Sequence, residues 1–171
     1  MREALLIKQA RNGDRAAFDC LIAPYVKPLF SYISSRVNNY ADANDIIQEC
    51  MLSIWQSMGS YGYQSSFKTW VYSIARRRIA DFYRKSSKHI SVPLSNIEND
   101  FAARDSLNER IESIDIDNAL SCLDSADNEL VYLVFRAQLS YQEVSAVLGI
   151  PVGTVKSRMS RIKAKLKLVL S

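Results

Sequence analysis

Histidine is almost absent: His89 is the only one in 171 residues, which leaves no histidine cluster for zinc and no base for a catalytic triad. The three cysteines, Cys20, Cys50 and Cys122, are odd in number and far apart. That excludes a disulfide scaffold and any Cys-x-x-Cys metal site, and it points to a reducing cytoplasm. Only five glycines and four prolines occur, too few for a loop-rich or β-rich chain. No apolar run approaches the ~18–20 residues of a membrane span, so no membrane insertion of its own is expected. The opening Met-Arg-Glu-Ala-Leu-Leu lacks a signal-peptide core. A nucleotide-cradling glycine loop and a nucleophile–base pair are also missing, so neither an enzyme nor a cofactor is expected.

Present instead are 48% hydrophobic and 23% charged residues, an ordinary globular composition with a net charge of +4. The charge is unevenly spread. Residues 67–89 carry Lys68, Arg76, Arg77, Arg78, Arg84, Lys85 and Lys88 against Asp81 alone, net +6. Residues 90–129 hold ten acids against Arg104 and Arg110, net −8. The last block, 156–171, holds six basic residues and no acid, net +6. Two basic blocks around an acidic one suit two contacts with a polyanion, joined by a segment that avoids it.

Apolar spacing predicts helices throughout. A short one over 5–10 ends at Asn12-Gly13, and Asp14 caps the next, whose core positions run from Phe18 to Ile33. Pro24 and Pro28 are expected to kink or divide that helix. A third starts after Asp42 and ends near Gly59, burying Ile47, Met51, Ile54 and Met58. A fourth covers 67–85 and buries Phe67, Trp70, Val71, Ile74 and Phe82. Periodicity fails over 86–112 apart from a loose turn at 102–107, then returns at 114–123 and 129–137, the latter preceded by Asp124. The expected fold is all-α: two small helical domains, 1–89 and 113–171, joined by a flexible acidic linker, 90–112.

The C-terminal domain reads as a helix-turn-helix. Ser140-Tyr-Gln-Glu143 is a capping box, small Ser145 allows close packing, and Gly149 supplies a left-handed turn. Val144, Leu148, Ile150 and Val155 lock the two helices together, and Val155, Met159, Ile162 and Leu166 form the buried stripe of the second. Its opposite face holds Gly153, Ser157, Ser160 and Ala164, rimmed by Lys156, Lys167, Thr154 and Arg161. Small residues let the backbone enter a major groove while hydroxyls and cations reach base edges and phosphates.

Two faces of the N-terminal domain look outward. On the helix after Asp42, the side opposite the core holds Asp45, Gln48, Glu49 and Gln56 around an exposed Leu52, which suits protein docking. The 67–85 helix displays Tyr72, Ser73, Arg76, Arg77, Ala80, Tyr83 and Arg84, cations to track phosphates and rings to stack bases of an unpaired strand. Arg78 and Asp81 fall on its buried side, where an ion pair at i, i+3 accounts for both. Tyr61 and Tyr63, beside glycines in the preceding loop, suit capture of an extruded base. The cysteines read as packing residues rather than redox sensors.

Taken in order, these pieces resemble a sigma factor of the compact extracytoplasmic-function (ECF) group of the bacterial sigma-70 family, over nearly the full length. Gly13-Asp-Arg-Ala-Ala-Phe18 resembles the family's opening, and Asp42-Ala-Asn-Asp-Ile-Ile-Gln-Glu49 its polymerase-binding motif. Phe67-Lys-Thr-Trp-Val-Tyr-Ser-Ile-Ala75, with Asp81 and Arg84, resembles its promoter-melting helix. Leu139-Ser-Tyr-Gln-Glu-Val144 and Gly149-Ile-Pro-Val-Gly-Thr-Val-Lys-Ser-Arg158 resemble its C-terminal DNA-reading unit. The pattern departs at Asn44, where an acid is usual, at Arg77, where Asn is common, and at Asp124 and Asn128, where Pro and a basic residue are typical.

The resemblance implies roles. Asp42, Asp45, Gln48, Glu49, Leu52 and Trp55 would dock on the β′ clamp helices of core RNA polymerase, with the β flap a further contact. Tyr61, Tyr72, Arg76, Arg77, Tyr83 and Arg84 would capture the unwound −10 strand of promoter DNA. Thr154, Lys156, Ser157, Arg158, Ser160 and Arg161 would read the −35 element as duplex. Extended, the linker spans roughly 75 Å, about two turns of duplex. Its acidity would keep it off the promoter and in the basic RNA-exit path. Sigma factors of this group are usually held by an anti-sigma factor, so one is expected as a partner. The rival readings are a stand-alone helix-turn-helix regulator of duplex operators and a helical module that binds RNA or acidic proteins. The N-terminal domain discriminates, since a regulator needs neither a docking patch nor a single-strand face.

Overall fold

The computed structural model describes residues 2–89 and 123–169. The acidic linker, the loose turn expected at 102–107 and, but for Leu123, the helix expected at 114–123 lie outside the described residues, as does Cys122. The chain divides into two compact units, Met1–Asn99 and Asp100–Ser171. All regular structure among the described residues is helical.

In the first unit α1 (Arg2–Arg11), α2 (Arg15–Ser34), α3 (Tyr40–Ser57) and α4 (Phe67–His89) pack around one core, with α2, α3 and α4 in mutual contact. The chain leaves α1 through Gly13, at φ 91°, and Asp14 then caps α2 by accepting from the Ala17 N–H at 3.0 Å. Leu29, Tyr32, Ile33, Cys50, Ile54, Met58, Val71, Tyr72 and Ala75 form the closed centre. Burial of this kind, at about 25 cal/mol per Å² of apolar surface, is what holds four modest helices together.

Several local expectations change. Helix α2 runs unbroken through Pro24 and Pro28. Both prolines lie on the exposed side, so the ladder bonds they delete are lost where water reaches the backbone. Helix α3 starts three residues earlier than expected because Asn39, not Asp42, is its cap: the Asn39 side chain accepts from the Ala41 N–H at 2.8 Å. Its core stripe runs through Ala43, Ile46, Ile47, Cys50 and Ile54, and Met51 is only half-buried. On α4 the half-buried Trp70 and Phe82 give way to Val71, Tyr72, Ala75 and Ile79 at the centre. Cys50 is sealed in the core and burial pushes its thiol up to about 12, whereas Cys20 is exposed and packs nothing. None of the described helices is long and apolar enough to cross a membrane.

In the second unit Asp124 caps α5 (Ser125–Val131), accepting from the Asp127 N–H at 2.7 Å. The expected helix to Ala137 does not continue as α. It widens into a π-turn, Tyr132–Arg136, where the Ala137 N–H donates to the Tyr132 carbonyl at 2.9 Å. Gln138, at φ 53°, then reverses the chain and returns the Leu139 N–H to the Leu133 carbonyl, which tucks Leu139 into the core. Helices α6 (Tyr141–Leu148) and α7 (Val152–Val169) follow among the described residues.

Candidate nucleic-acid interface

The turn between α6 and α7 is built from several reinforcing bonds. The Glu143 carboxylate accepts from the Ser140 N–H at 2.9 Å while Ser140 Oγ accepts from the Glu143 N–H at 3.3 Å, closing the capping box. Gly149 sits at φ 67°, and its N–H and that of Ile150 both donate to the Ser145 carbonyl. Ser145 is more than small: its hydroxyl donates to the Ile150 carbonyl at 2.6 Å, so α6 is tied directly to the chain entering α7. Val155, Met159 and Ile162 of α7 are buried in one core with Val144, Val147 and Leu148 of α6 and with Leu130 and Leu133.

A Cβ at Gly149 meets nothing within 4 Å, so backbone strain alone opposes substitution there. Gly149→Ala is therefore expected to destabilise this unit by about 1 kcal/mol, the cost of a left-handed L-residue. Thermal unfolding followed by circular dichroism measures it. An unchanged midpoint would show that the turn tolerates alanine without strain.

With Val155, Met159 and Ile162 of its stripe buried and Leu166 half-buried, α7 presents Gly153, Lys156, Ser157, Ser160, Arg161, Ala164 and Lys167 to solvent, and Thr154 and Arg158 half-exposed at the margins. Every residue assigned to this face from the sequence is accessible. Arg161 has a second engagement that linear spacing does not reveal: its Nη2 lies 3.4 Å from both carboxylate oxygens of Asp127, a buried residue of α5.

The N-terminal faces need more revision. Asp45, Gln48, Glu49, Leu52 and Gln56 form one exposed strip of α3, with Leu52 56% exposed among them. Asp42 is half-buried in the first turn. Trp55 is half-buried, its ring edge-on to Phe18 at 4.9 Å and under the Arg15 guanidinium at 5.0 Å. Lys85 Nζ of α4 approaches Glu49 at 4.0 Å, and Glu49, Leu52, Gln56, Arg78 and Lys85 line a shallow groove between the two helices.

Tyr72, expected to face outward, is 1% exposed and packs edge-on against Tyr32 at 5.4 Å. The reason is that α4 is wedged between α2 and α3, so its buried arc is wider than a single stripe and swings past Tyr72. Tyr61 is likewise closed, 4% exposed, its hydroxyl donating to the Ser65 carbonyl at 2.7 Å and its ring 4.9 Å from Trp70. Burial raises the pKa of that phenol above the ordinary tyrosine value. The accessible ring of the loop is Tyr63, 52% exposed, held at φ 57° with Arg11 over its face at 5.3 Å and Tyr61 at 5.0 Å. Gly62 beside it marked the turn, but nothing in the sequence distinguished which tyrosine the fold would leave open.

Arg77 and Arg84 remain exposed on α4, and Arg76 is half-buried. The expected Arg78–Asp81 pair forms at 3.4 Å, and Asp81 also accepts from Arg84. Tyr83 is half-exposed, and its hydroxyl donates to the Arg36 carbonyl, pinning α4 to the loop after α2.

A helix-turn-helix with an open basic face, in a chain whose other unit carries a basic helix and an exposed acidic strip, defines a DNA-binding transcription protein. Two family models match the chain: sigma-70 region 2 over residues 21–89 and sigma-70 region 4 over residues 113–166. The Mycobacterium tuberculosis ECF RNA polymerase sigma factor SigM is 28% identical over 98% of this chain and 84% of its own length. The Escherichia coli ECF RNA polymerase sigma-E factor is 26% identical over 95% of this chain and 91% of its own. Among solved structures, CnrH in complex with the cytosolic domain of CnrY matches with a TM-score of 0.71 and 25% identity, covering 99% of this chain and 97% of that one. Bartonella quintana sigma factor RpoE, bound to the anti-sigma factor NepR, shares the fold with a TM-score of 0.68 and 24% identity over 90% of this chain and 96% of that one. The chain belongs to the sigma-70 family, as a sigma factor of its ECF group. As such it directs RNA polymerase to promoters, and the stand-alone regulator is not favoured.

Proposed function

We propose that the three exposed faces divide the work of promoter recognition. The α3 strip of Asp45, Gln48, Glu49 and Leu52, with Asp42 at its edge, docks on the clamp helices of core RNA polymerase. Half-buried Trp55 supports that strip from its margin through Phe18 and Arg15. Arg76, Arg77, Tyr83 and Arg84 of α4 follow the phosphates of the unwound −10 strand, and Tyr63 receives a base. Tyr61 and Tyr72 hold the scaffold under that face. Thr154, Lys156, Ser157, Arg158, Ser160 and Arg161 read the −35 duplex from the major groove.

The observation that carries this reading is the α7 face, where small residues and cations lie open while Val155, Met159 and Ile162 on the opposite side are buried. The chain performs no catalysis itself; bond formation belongs to the polymerase, and both act in the cytoplasm. The acidic segment 90–112 joins the −10 and −35 units without adhering to the promoter. CnrH and RpoE are each seen with a protein partner, and we infer a protein inhibitor of this chain as well.

In-vitro transcription from a promoter library, with and without core polymerase, tests the reading. Promoter-dependent transcripts are expected only when both proteins are present. Ser157→Glu/Ser160→Glu, which sets negative charge on the groove face without touching the core, is expected to reduce them at least tenfold at −35-dependent promoters. Undiminished transcription from those promoters would remove α7 from the −35 contact.

A further inference from the structure

The pair between Asp127 and Arg161 joins a closed residue to an open one. Asp127 lies in the first turn of α5 with its side chain 1% exposed, whereas the Arg161 side chain, 34 residues later on the groove face of α7, is 57% exposed. We propose that Asp127 is a positioning residue for DNA recognition: it holds the Arg161 guanidinium in one orientation so that its outer edge meets a base or phosphate of the −35 element. The proposal rests on α7 being the −35 reader.

Three observations support it. A single nitrogen, Nη2, spans both oxygens of Asp127 at 3.4 Å, so the pair engages that nitrogen alone and leaves the Nε–H and Nη1–H donors outside it. The first turn of a helix favours negative charge, and Asp127 receives there a backbone already fixed by the Asp124 cap at 2.7 Å. The carboxylate is therefore a rigid anchor, whereas a partner at the surface would move with the arginine. Finally, an ion pair with one partner open to water adds little stability, since solvent screens the exposed charge. What such a pair supplies is direction. An arginine already held in its binding rotamer loses less freedom when it meets DNA, and its fixed fork discriminates acceptor geometry better than a mobile one.

The test uses the full chain with core polymerase on a promoter library randomised over the −35 element, with transcripts counted by sequencing. Arg161→Ala is expected to flatten base preference roughly tenfold at one or two adjacent positions. Asp127→Asn keeps the shape and removes the charge; it is expected to flatten the same positions, and the double variant no further. A wild-type profile from Asp127→Asn overturns the proposal. So does a loss spread evenly over the element together with a lowered melting temperature, which marks a pair that only joins two helices. If Asp127→Asn does not fold, NMR relaxation of the Arg161 Nε–Hε group in the unmodified chain decides: order close to that of the backbone supports the proposal, and free motion overturns it. Absence of any −35 preference in the unmodified chain would instead remove the reading of α7 on which this one stands.

Discussion

Ile162→Ala is expected to unfold the C-terminal unit under conditions where the N-terminal one stays native. Ile162 is fully buried on α7, in the same core as Val144, Leu130 and Leu133. Truncation removes its methyl groups and leaves a cavity that three short surrounding elements close only in part. The cost is about 3 kcal/mol, within the range for buried Ile to Ala. A unit this small has little reserve, because small domains bury a lower fraction of their surface. Both tryptophans, Trp55 and Trp70, lie in the N-terminal unit, which separates the two signals. Helical ellipticity is expected to show an early melting step while tryptophan fluorescence melts where the unmodified chain does. A single transition at the original midpoint would mean that Ile162 is not a core residue of the helix-turn-helix.

Leu52→Arg is the second large effect, and it acts on binding rather than folding. Leu52 is 56% exposed, so its replacement leaves no cavity and the melting temperature is expected to stay within about 1–2 °C. On the proposed docking strip it is the one apolar side chain, ringed by Asp45, Gln48 and Glu49. Such a central anchor is where binding energy concentrates, and a cation there also opposes the partner surface that the acids attract. Affinity for core polymerase is expected to fall roughly thirtyfold or more, corresponding to about 2 kcal/mol. A pull-down or fluorescence titration with core reads this directly. Equal affinity would take α3 out of the polymerase contact and shift attention to the groove with α4.

How far these sites were legible before the fold was known depends on the range of the interactions involved. The capping box, the left-handed Gly149, the α7 stripe and the caps at Asp14 and Asp124 are local: each depends on residues within about one or two turns, so spacing alone reveals them. The α3 strip was legible for the same reason, since α3 has a clear core side and a clear free side. Tyr72 and Tyr61 were not legible. A helical wheel drawn for α4 alone does not include its contact with α2, which covers the arc where Tyr72 stands. In the loop, which of two tyrosines closes over Trp70 is decided by the left-handed backbone at Tyr63, which no glycine announced. Helix α2 is the opposite case: two prolines signalled a break, and their position on the solvent side made the break unnecessary.

By itself, then, the sequence determined the class of the protein. Its helical spacing, its caps and its +6, −8, +6 charge pattern already set out two helical units with basic faces around an acidic segment. These properties come from backbone geometry and net charge, which do not depend on how distant segments meet. The tertiary structure decided which side chains can act. It closed Tyr61 and Tyr72, left Tyr63 open, set Trp55 half-buried against Phe18, and brought Asp127 to Arg161 across 34 residues. Accessibility and ion pairing are properties of the packed chain: a residue's partner in space is chosen by the helices on either side of it, and periodicity along one helix carries no record of them.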